Sequence, residues 1–247
     1  MKTRSNITLT ILALMAILAS CQKDSSSETD TAPLTISFSL MAYGAPIDTA
    51  FQYTNFSGEK FNISSFKFYV TGIEFANATT SASEKSIYHL VDLAQPASRQ
   101  FNVNLKTGIY DKINFIIGVD SSRNVSGAQT GALDPTNGMF WTWNTGYIFA
   151  KLEGRSPASP APFQKLTHHI GGFRTGENAI RKVSLAIPFE VGRTKELVIN
   201  ADVQKWFDGP HRISIVSNAS VMSPGGVALR IADNYAGMFS INKVVNP

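Results

Sequence analysis

The sequence predicts an all-β fold, an antiparallel β-sandwich of about ten strands with long loops and one or two short helices. Two observations support this prediction. Apolar and polar residues alternate along many short segments, which is typical of strands with one buried face. Clusters of Gly, Pro, Asn and Ser separate these segments, and no long amphipathic helices alternate with them, which disfavours a parallel α/β sheet.

The first 20 residues have the parts of an export signal. Lys2 and Arg4 precede an apolar run over 7–19, and small residues then lead to Cys21. This run is shorter than the roughly 20 apolar residues that a membrane-spanning helix needs. Residues 18–21 have the form of a lipobox. We therefore expect residues 1–20 to be a lipoprotein signal peptide and Cys21, the only cysteine of the chain, to carry the lipid.

Residues 21–33 are predicted to form the lipidated cysteine and a disordered tether, because polar residues dominate after Cys21. The sequence Gln22-Lys23-Asp24 resembles the signal that sends lipoproteins of Bacteroidetes-type bacteria to the outer face of the outer membrane. We therefore expect a surface-exposed outer-membrane protein that meets the membrane through its lipid anchor. Residues 34–247 are then the folded domain.

Charge and motifs exclude several function classes. The 22 basic residues are scattered among 18 acidic ones and form no stripe, so we expect no nucleic-acid partner. The chain has no G-x-S-x-G, H-E-x-x-H or P-loop motif, and its only cysteine is the predicted anchor. We therefore predict a protein without catalytic activity.

The predicted strands, helices and loops follow from the alternation of apolar and polar residues and from the positions of turn-forming residues. The predicted strands lie over 34–40, 66–70, 86–93, 101–105, 112–119, 139–152, 182–191, 197–202, 212–217 and 239–245. Short helical pieces are expected within 201–207 and 227–238. Three prolines between 155 and 163 predict an exposed loop, and residues 120–138 are predicted to form a long polar loop.

Histidine is scarce, with only His89, His168, His169 and His211 in the chain, and the adjacent pair His168-His169 is the first candidate for a metal ligand. Neighbouring residues of a strand point to opposite faces, so His168 and His169 cannot both bind one ion from a regular strand. One of them therefore needs a partner elsewhere in the chain. Imidazole together with soft donors favours copper over metals that prefer carboxylates. The alternative for each histidine is a hydrogen-bonded or surface imidazole without a metal.

An aromatic segment over 138–147 is the most unusual part of the sequence. On a strand, Trp141 and Trp143 share one face. Such rings are usually core residues, because they bury the most area. The functional alternatives are a sugar-stacking platform of Trp141, Trp143 and Tyr147, or the wall of a metal site.

The chain resembles the MbnP-like domain family, named for the copper-binding protein encoded with methanobactin systems and related to surface copper proteins of methanotrophs. The segments that carry the resemblance are 66–70 (FKFYV), 88–93 (YHLVDL), 117–120 (IGVD), 134–135 (DP), 138–147 (GMFWTWNTGY), 151–154 (KLEG) and 169–172 (HIGG). They occur in the family's order and span nearly all of the predicted domain.

The resemblance implies an exported β-sandwich that binds or handles copper. In the copper-binding relatives, two histidines from different strands and an oxidised tryptophan hold the metal. By position, His89 matches the first histidine, and His169, or alternatively His168, matches the second. Ile87 stands where those relatives have the tryptophan. Two alternatives stay open: a carbohydrate- or protein-binding surface module, and a scaffold partner of an exported di-haem peroxidase-like protein.

Overall fold

The computed structural model describes residues 30–142, 144 and 146–247, of which Thr31–Pro247 form one compact unit. Cys21 lies outside the described residues. The strands of the described part are β1 (Thr31–Ala42), β2 (Ala45–Pro46), β3 (Tyr53–Thr54), β4 (Lys60–Phe61), β5 (Ser65–Ala76), β6 (Ser81–Asp92), β7 (Gln100–Lys106), β8 (Gly108–Ile117), β9 (Ile148–Arg155), β10 (Lys165–Gly171), β11 (Arg181–Val191), β12 (Glu196–Asp202), β13 (Ser220–Val221) and β14 (Phe239–Val245).

Helices are short. The α-helices among the described residues are α1 (Ser121–Val125), α2 (Gln204–Phe207), α3 (Ile215–Asn218) and α4 (Gly226–Ala236), and the 3₁₀ helices are η1 (Pro96–Arg99), η2 (Gly131–Leu133), η3 (Pro135–Asn137) and η4 (Pro162–Gln164). None of the helices in this part of the chain has the length and apolar character needed to cross a bilayer.

Two large sheets form the predicted sandwich, which confirms the all-β fold class. One sheet has five strands in the order β14-β12-β1-β2, with β7 also paired to β1. The other has seven strands in the order β11-β8-β5-β9-β10-β13, with β6 on the free edge of β5. Most pairs are antiparallel, but β1 pairs with β12 and β10 pairs with β13 in parallel. The two parallel pairs depart from the purely antiparallel sandwich that we predicted.

The core lies between the two sheets. In β1, Phe38 makes edge-to-face contacts with Phe68 of β5 at 5.6 Å and with Phe115 of β8 at 6.0 Å. The face of the seven-stranded sheet that carries Phe66 and Phe68 is called the inner face, and the face that carries Lys67 is called the outer face. Burying each of these rings contributes about 2 kcal/mol, so the alternation along β1 and β5 fixes which face is inner.

Helices α2 and α4 cover the inner face beside β10. Trp206 of α2 is fully buried and lies edge-on to Phe66 at 6.2 Å. It also contacts Tyr235 of α4 at 5.7 Å. The short helices predicted within 201–207 and 227–238 are therefore confirmed, and their buried faces complete the core where the five-stranded sheet ends.

Residues 120–142 lie over the outer face and cover its middle. The hydroxyl of Tyr69 donates to the carbonyl of Ala132 at 2.9 Å, and that of Tyr147 donates to the carbonyl of Leu133 at 2.7 Å. The ammonium group of Lys151 donates to the carbonyl of Gly138 at 2.5 Å. The part of the outer face around β10 lies beyond these contacts.

Three predicted elements differ from the structure in ways that matter for the site. The strand predicted over 139–152 begins only at Ile148, because Gly138 and Gly146 have φ angles of 69° and 135° and Phe140 pairs with Tyr147 in an isolated antiparallel bridge. The second half of the strand predicted over 212–217 lies in α3, where the carboxylate of Glu59 accepts hydrogen bonds from the first backbone N–H groups of that helix. Strand β1 begins at Thr31, so the last residues assigned to the tether belong to the sheet.

Candidate functional site

His89 of β6 faces the inner side of the seven-stranded sheet. It pairs with Val70 of β5, whose side chain is in the core, and its ring lies 4.4 Å from that of Phe101 in the other sheet. Nε2 of His89 lies 2.6 Å from the carbonyl oxygen of Ser98. Burial lowers the pKa of His89, although the hydrogen bond to Ser98 opposes this effect. The imidazole is therefore a neutral donor to the backbone at neutral pH.

His168 of β10 is a core residue. It is fully buried, and its Nδ1 accepts a hydrogen bond from the indole N–H of Trp206 at 2.9 Å. Its Nε2 lies 2.6 Å from the carbonyl oxygen of Asn218. Burial lowers the pKa of His168 to about 4. Both ring nitrogens are thus engaged with the protein, so His168 does not fit a metal ligand.

His169 of β10 lies on the outer face, opposite to its neighbour, as the sequence predicts. Its Nε2 lies 2.7 Å from Oε1 of Glu153 on β9. The hydrogen bond from His169 lowers the pKa of Glu153 more than burial raises it, and the charge of Lys151 lowers it further. The carboxylate is therefore ionised at neutral pH and accepts the proton of Nε2, which leaves Nδ1 of His169 as the remaining ring nitrogen.

The structure does not bring His89 and His169 together. Cross-strand pairs join His169 to Lys151, Lys151 to Lys67 and Lys67 to Asp92, and all four side chains lie on the outer face. His89 is three residues before Asp92 and therefore lies on the inner face. In addition, β6 and β10 are separated by three inter-strand spacings, roughly 14 Å. The predicted shared site of His89 with His169 is therefore wrong in this fold.

A cleft of about 700 Å³ opens on the outer face around β10. Its lining includes Asn62, Ser64, Glu153, Arg155, Phe163, Lys165, Thr167, His169, Ser220 and Met222. The walls come from β9 and β10, from the loop that joins them, and from the end of β13. Among the predicted site residues that the structure describes, only His169 lines this cleft. Its hydrogen-bond partner Glu153 lines the cleft as well.

Met222 lines the same cleft as His169. The parallel pairing of β10 with β13 joins Thr167 to Ser220 and His168 to Val221, and Met222 directly follows β13 in the chain. The Met222 side chain is 40% exposed. A thioether and an imidazole are donors that suit Cu(I). Met222 was not predicted as a site residue, because it follows a strand of only two residues, which shows no periodic pattern in the sequence.

The charges around His169 are balanced. Lys67 forms an ion pair with Asp92 at 2.9 Å, and Lys151 lies 3.9 Å from Glu153. Burial lowers the pKa of Lys151. Within residues 30–142, 144 and 146–247, no group of three or more His, Cys, Asp or Glu side chains has the geometry of a metal site. Among the described residues, a copper site on this face would therefore rest on His169 and Met222, which line the same cleft, and not on a pair of histidines.

The predicted aromatic platform is not a surface feature. Trp141 is 4% exposed, and Tyr147 is fully buried. Trp143 lies outside the described residues. Gly171, part of the segment over 169–172, packs against the carbonyl oxygen of Tyr147 and the indole ring of Trp141. Those two rings therefore belong to the core, and the glycine is there to let them approach β10.

Comparisons with known proteins find one family and one fold. The model of the MbnP family matches residues 31–223. The solved structure of MbnP from Methylosinus trichosporium matches with a TM-score of 0.57 and 16% sequence identity, over 86% of this chain and 98% of that chain. At this identity, the likeness shows a shared fold. No curated protein matches the chain.

Proposed function

The chain belongs to the MbnP family, and from this premise we propose that it is a non-catalytic, copper-binding surface protein whose site is the outer cleft around His169. The lipobox at Cys21 and the polar residues after it support export, a lipid anchor and a place at the outer membrane. Copper would be the cargo of the protein rather than part of a catalytic centre.

The hydrogen bond between His169 and Glu153 carries this proposal. Histidines that bind metals commonly donate their other ring nitrogen to a carboxylate, which fixes the ring and raises its basicity. Here Nε2 of His169 is 2.7 Å from Oε1 of Glu153, and His169 lines an open cleft. Nδ1 of His169 would then bind the ion.

Met222 would supply the second donor. Thioether sulfur selects Cu(I) over harder ions, and low coordination numbers suit Cu(I) better than Cu(II). The place of Met222 directly after β13 and its exposure in the same cleft support this role. His89 and His168 have no part in this site, since both face the inner side of the sheet and donate to backbone carbonyls.

The test is a Cu(I) titration of residues 22–247 against a chromophoric chelator. We expect one equivalent to bind to the wild type, and His169→Ala to lose it. His89→Ala, the matched control, should bind copper as the wild type does. Equal loss in both variants, or no loss in His169→Ala, would contradict the site, and a wild type that binds no copper would contradict the function.

A further inference from the structure

We propose that the end of the cleft away from His169 binds an acidic saccharide. Arg155 and Lys165 would pair with its carboxylate, and Phe163 would stack on a sugar ring. These three residues lie together at the loop between β9 and β10 and line the cleft. This inference goes beyond copper binding and does not depend on it.

Two positive charges face each other at this end of the cleft. Arg155 and Lys165 are direct cross-strand partners in the antiparallel pair of β9 and β10. Like charges at directly opposite positions are unfavourable. Among the described residues, no carboxylate forms an ion pair with either side chain. An anionic ligand would supply the missing negative charge, and Arg155 offers a carboxylate a bidentate partner.

Phe163 presents an aromatic ring to solvent beside these charges. Its side chain is 77% exposed, and the ammonium group of Lys165 lies 6.0 Å from its ring centre. Phe163 and Gln164 both have left-handed backbone conformations, with φ angles of 60° and 56°. A bulky residue in this region is strained, and such strain is usually retained at ligand sites. A single exposed ring held in this way suits stacking on a sugar face.

The loop that carries Phe163 is held in place by buried serines. Ser156 is fully buried, its N–H donates to the carbonyl of Gln164 at 2.9 Å, and its hydroxyl donates to the carbonyl of Lys60 at 2.5 Å. The hydroxyl of Ser159, also buried, accepts from the N–H of Ala161 at 3.2 Å. The ring is therefore positioned before any ligand arrives, which lowers the entropy cost of binding.

Hydroxyl and amide groups on the walls favour a saccharide over other organic anions. Asn62, Ser64, Thr167 and Ser220 line the same cleft. A volume of about 700 Å³ is enough for more than one sugar ring. An aromatic carboxylate would match the charges and Phe163, but it has no hydroxyl groups to bond with these wall groups.

The experiment is calorimetric titration of copper-free residues 22–247 with trigalacturonate, with neutral maltotriose as the matched control and benzoate as a third probe. We expect trigalacturonate to bind at least about tenfold more tightly than maltotriose, and its affinity to fall as salt rises from about 50 mM to about 300 mM. Equal affinity for the two saccharides, no binding of trigalacturonate, or binding of benzoate alone would overturn the proposal.

Variants separate this site from the copper site. Phe163→Ala and Arg155→Gln should each weaken trigalacturonate binding about tenfold, whereas Lys243→Gln, a surface change in the other sheet, should not. Phe163→Gly should lose binding without lowering Tm, because glycine relieves the left-handed strain. His169→Ala should keep saccharide binding while it loses copper. Copper binding with no trigalacturonate binding would refute this inference and leave the proposed function intact.

Discussion

The indole N–H of Trp206 donates to Nδ1 of His168 across 2.9 Å and ties α2 to the inner face of the seven-stranded sheet. Because Nδ1 accepts this bond, the proton of the neutral ring is on Nε2, which donates to the carbonyl of Asn218 at the end of α3. His168 therefore links a strand to two helices. It is a structural residue, although its position next to His169 made it a candidate ligand.

The buried imidazole of His168 should make the protein less stable in acid. Its pKa is lowered to about 4 in the folded state, whereas the unfolded chain binds the proton at about 6.5. The contribution of the neutral ring is therefore complete above about pH 6.5 and is lost as the pH falls towards about 4, by up to about 3 kcal/mol. Urea unfolding of His168→Gln, whose amide can replace both hydrogen bonds, should show a flatter pH dependence over this range. Identical pH dependence in the two proteins would contradict this role.

The carboxylate of Glu59 should stabilise α3. It accepts hydrogen bonds from the N–H groups of Ile215 and Val216 at 2.7 and 3.0 Å and from the hydroxyl of Ser214 at 2.7 Å. Burial alone would raise the pKa of Glu59, but the hydrogen bonds from Asn55, Val216, Ile215 and Ser214 together lower it.

Glu59→Gln should reduce the free energy of unfolding by about 2 kcal/mol at neutral pH, because bonds to a charged acceptor are lost. The lowered pKa means that this contribution is present above the ordinary pKa of a glutamate and disappears at lower pH. Glu190→Gln, an exposed control, should change the unfolding free energy by less than about 0.5 kcal/mol. Similar losses in the two variants, measured by urea unfolding, would rule out the capping role.

Gly171 should tolerate no side chain. A Cβ atom there would lie 2.8 Å from the ring of Trp141 and would overlap the carbonyl oxygen of Tyr147. Gly171→Ala should cost at least about 1–3 kcal/mol, because a packed core does not yield to an added methyl group. Gly226→Ala is the control, since that position in α4 has open space, and it should be neutral or stabilising. Thermal unfolding that ranks the two variants in the opposite order would contradict the packing.

Glu153 should set the metal affinity of His169. Removing the carboxylate that orients a metal-binding histidine typically costs about 10–100-fold in affinity. Glu153→Gln should therefore weaken Cu(I) binding by such a factor while the fold is retained, as measured by chelator competition. Glu74→Gln, on a distant part of the same sheet, is the matched control. Unchanged affinity in Glu153→Gln would mean that copper does not bind through His169.

The sequence predicted the fold better than the site. The alternation of apolar and polar residues along β1, β5 and β7 identified their buried faces, because this alternation depends only on the sequence of the strand itself. The end of the predicted strand after Gly138 was missed, because Trp141 packs against Gly171, which is distant in the chain. Two-residue strands such as β13 are too short to show any period.

The site depends on strand order, which is not a local property. The alternation of side chains along β10 correctly predicted that His168 and His169 point to opposite faces of the sheet. The pairing of His89 with His169 failed because β6 and β10 are not adjacent strands and because the register places the two histidines on different faces of the sheet. The contacts that define the cleft join β9, β10, the loop between them and Met222. Nothing in the spacing of these residues indicates that they meet.

The most direct test of the copper site is anomalous diffraction at the copper edge from crystals loaded with Cu(I). We expect one strong anomalous peak on the outer face, within bonding distance of a ring nitrogen of His169 and the sulfur of Met222. A peak at His89 on the inner face, with none at His169, would contradict it.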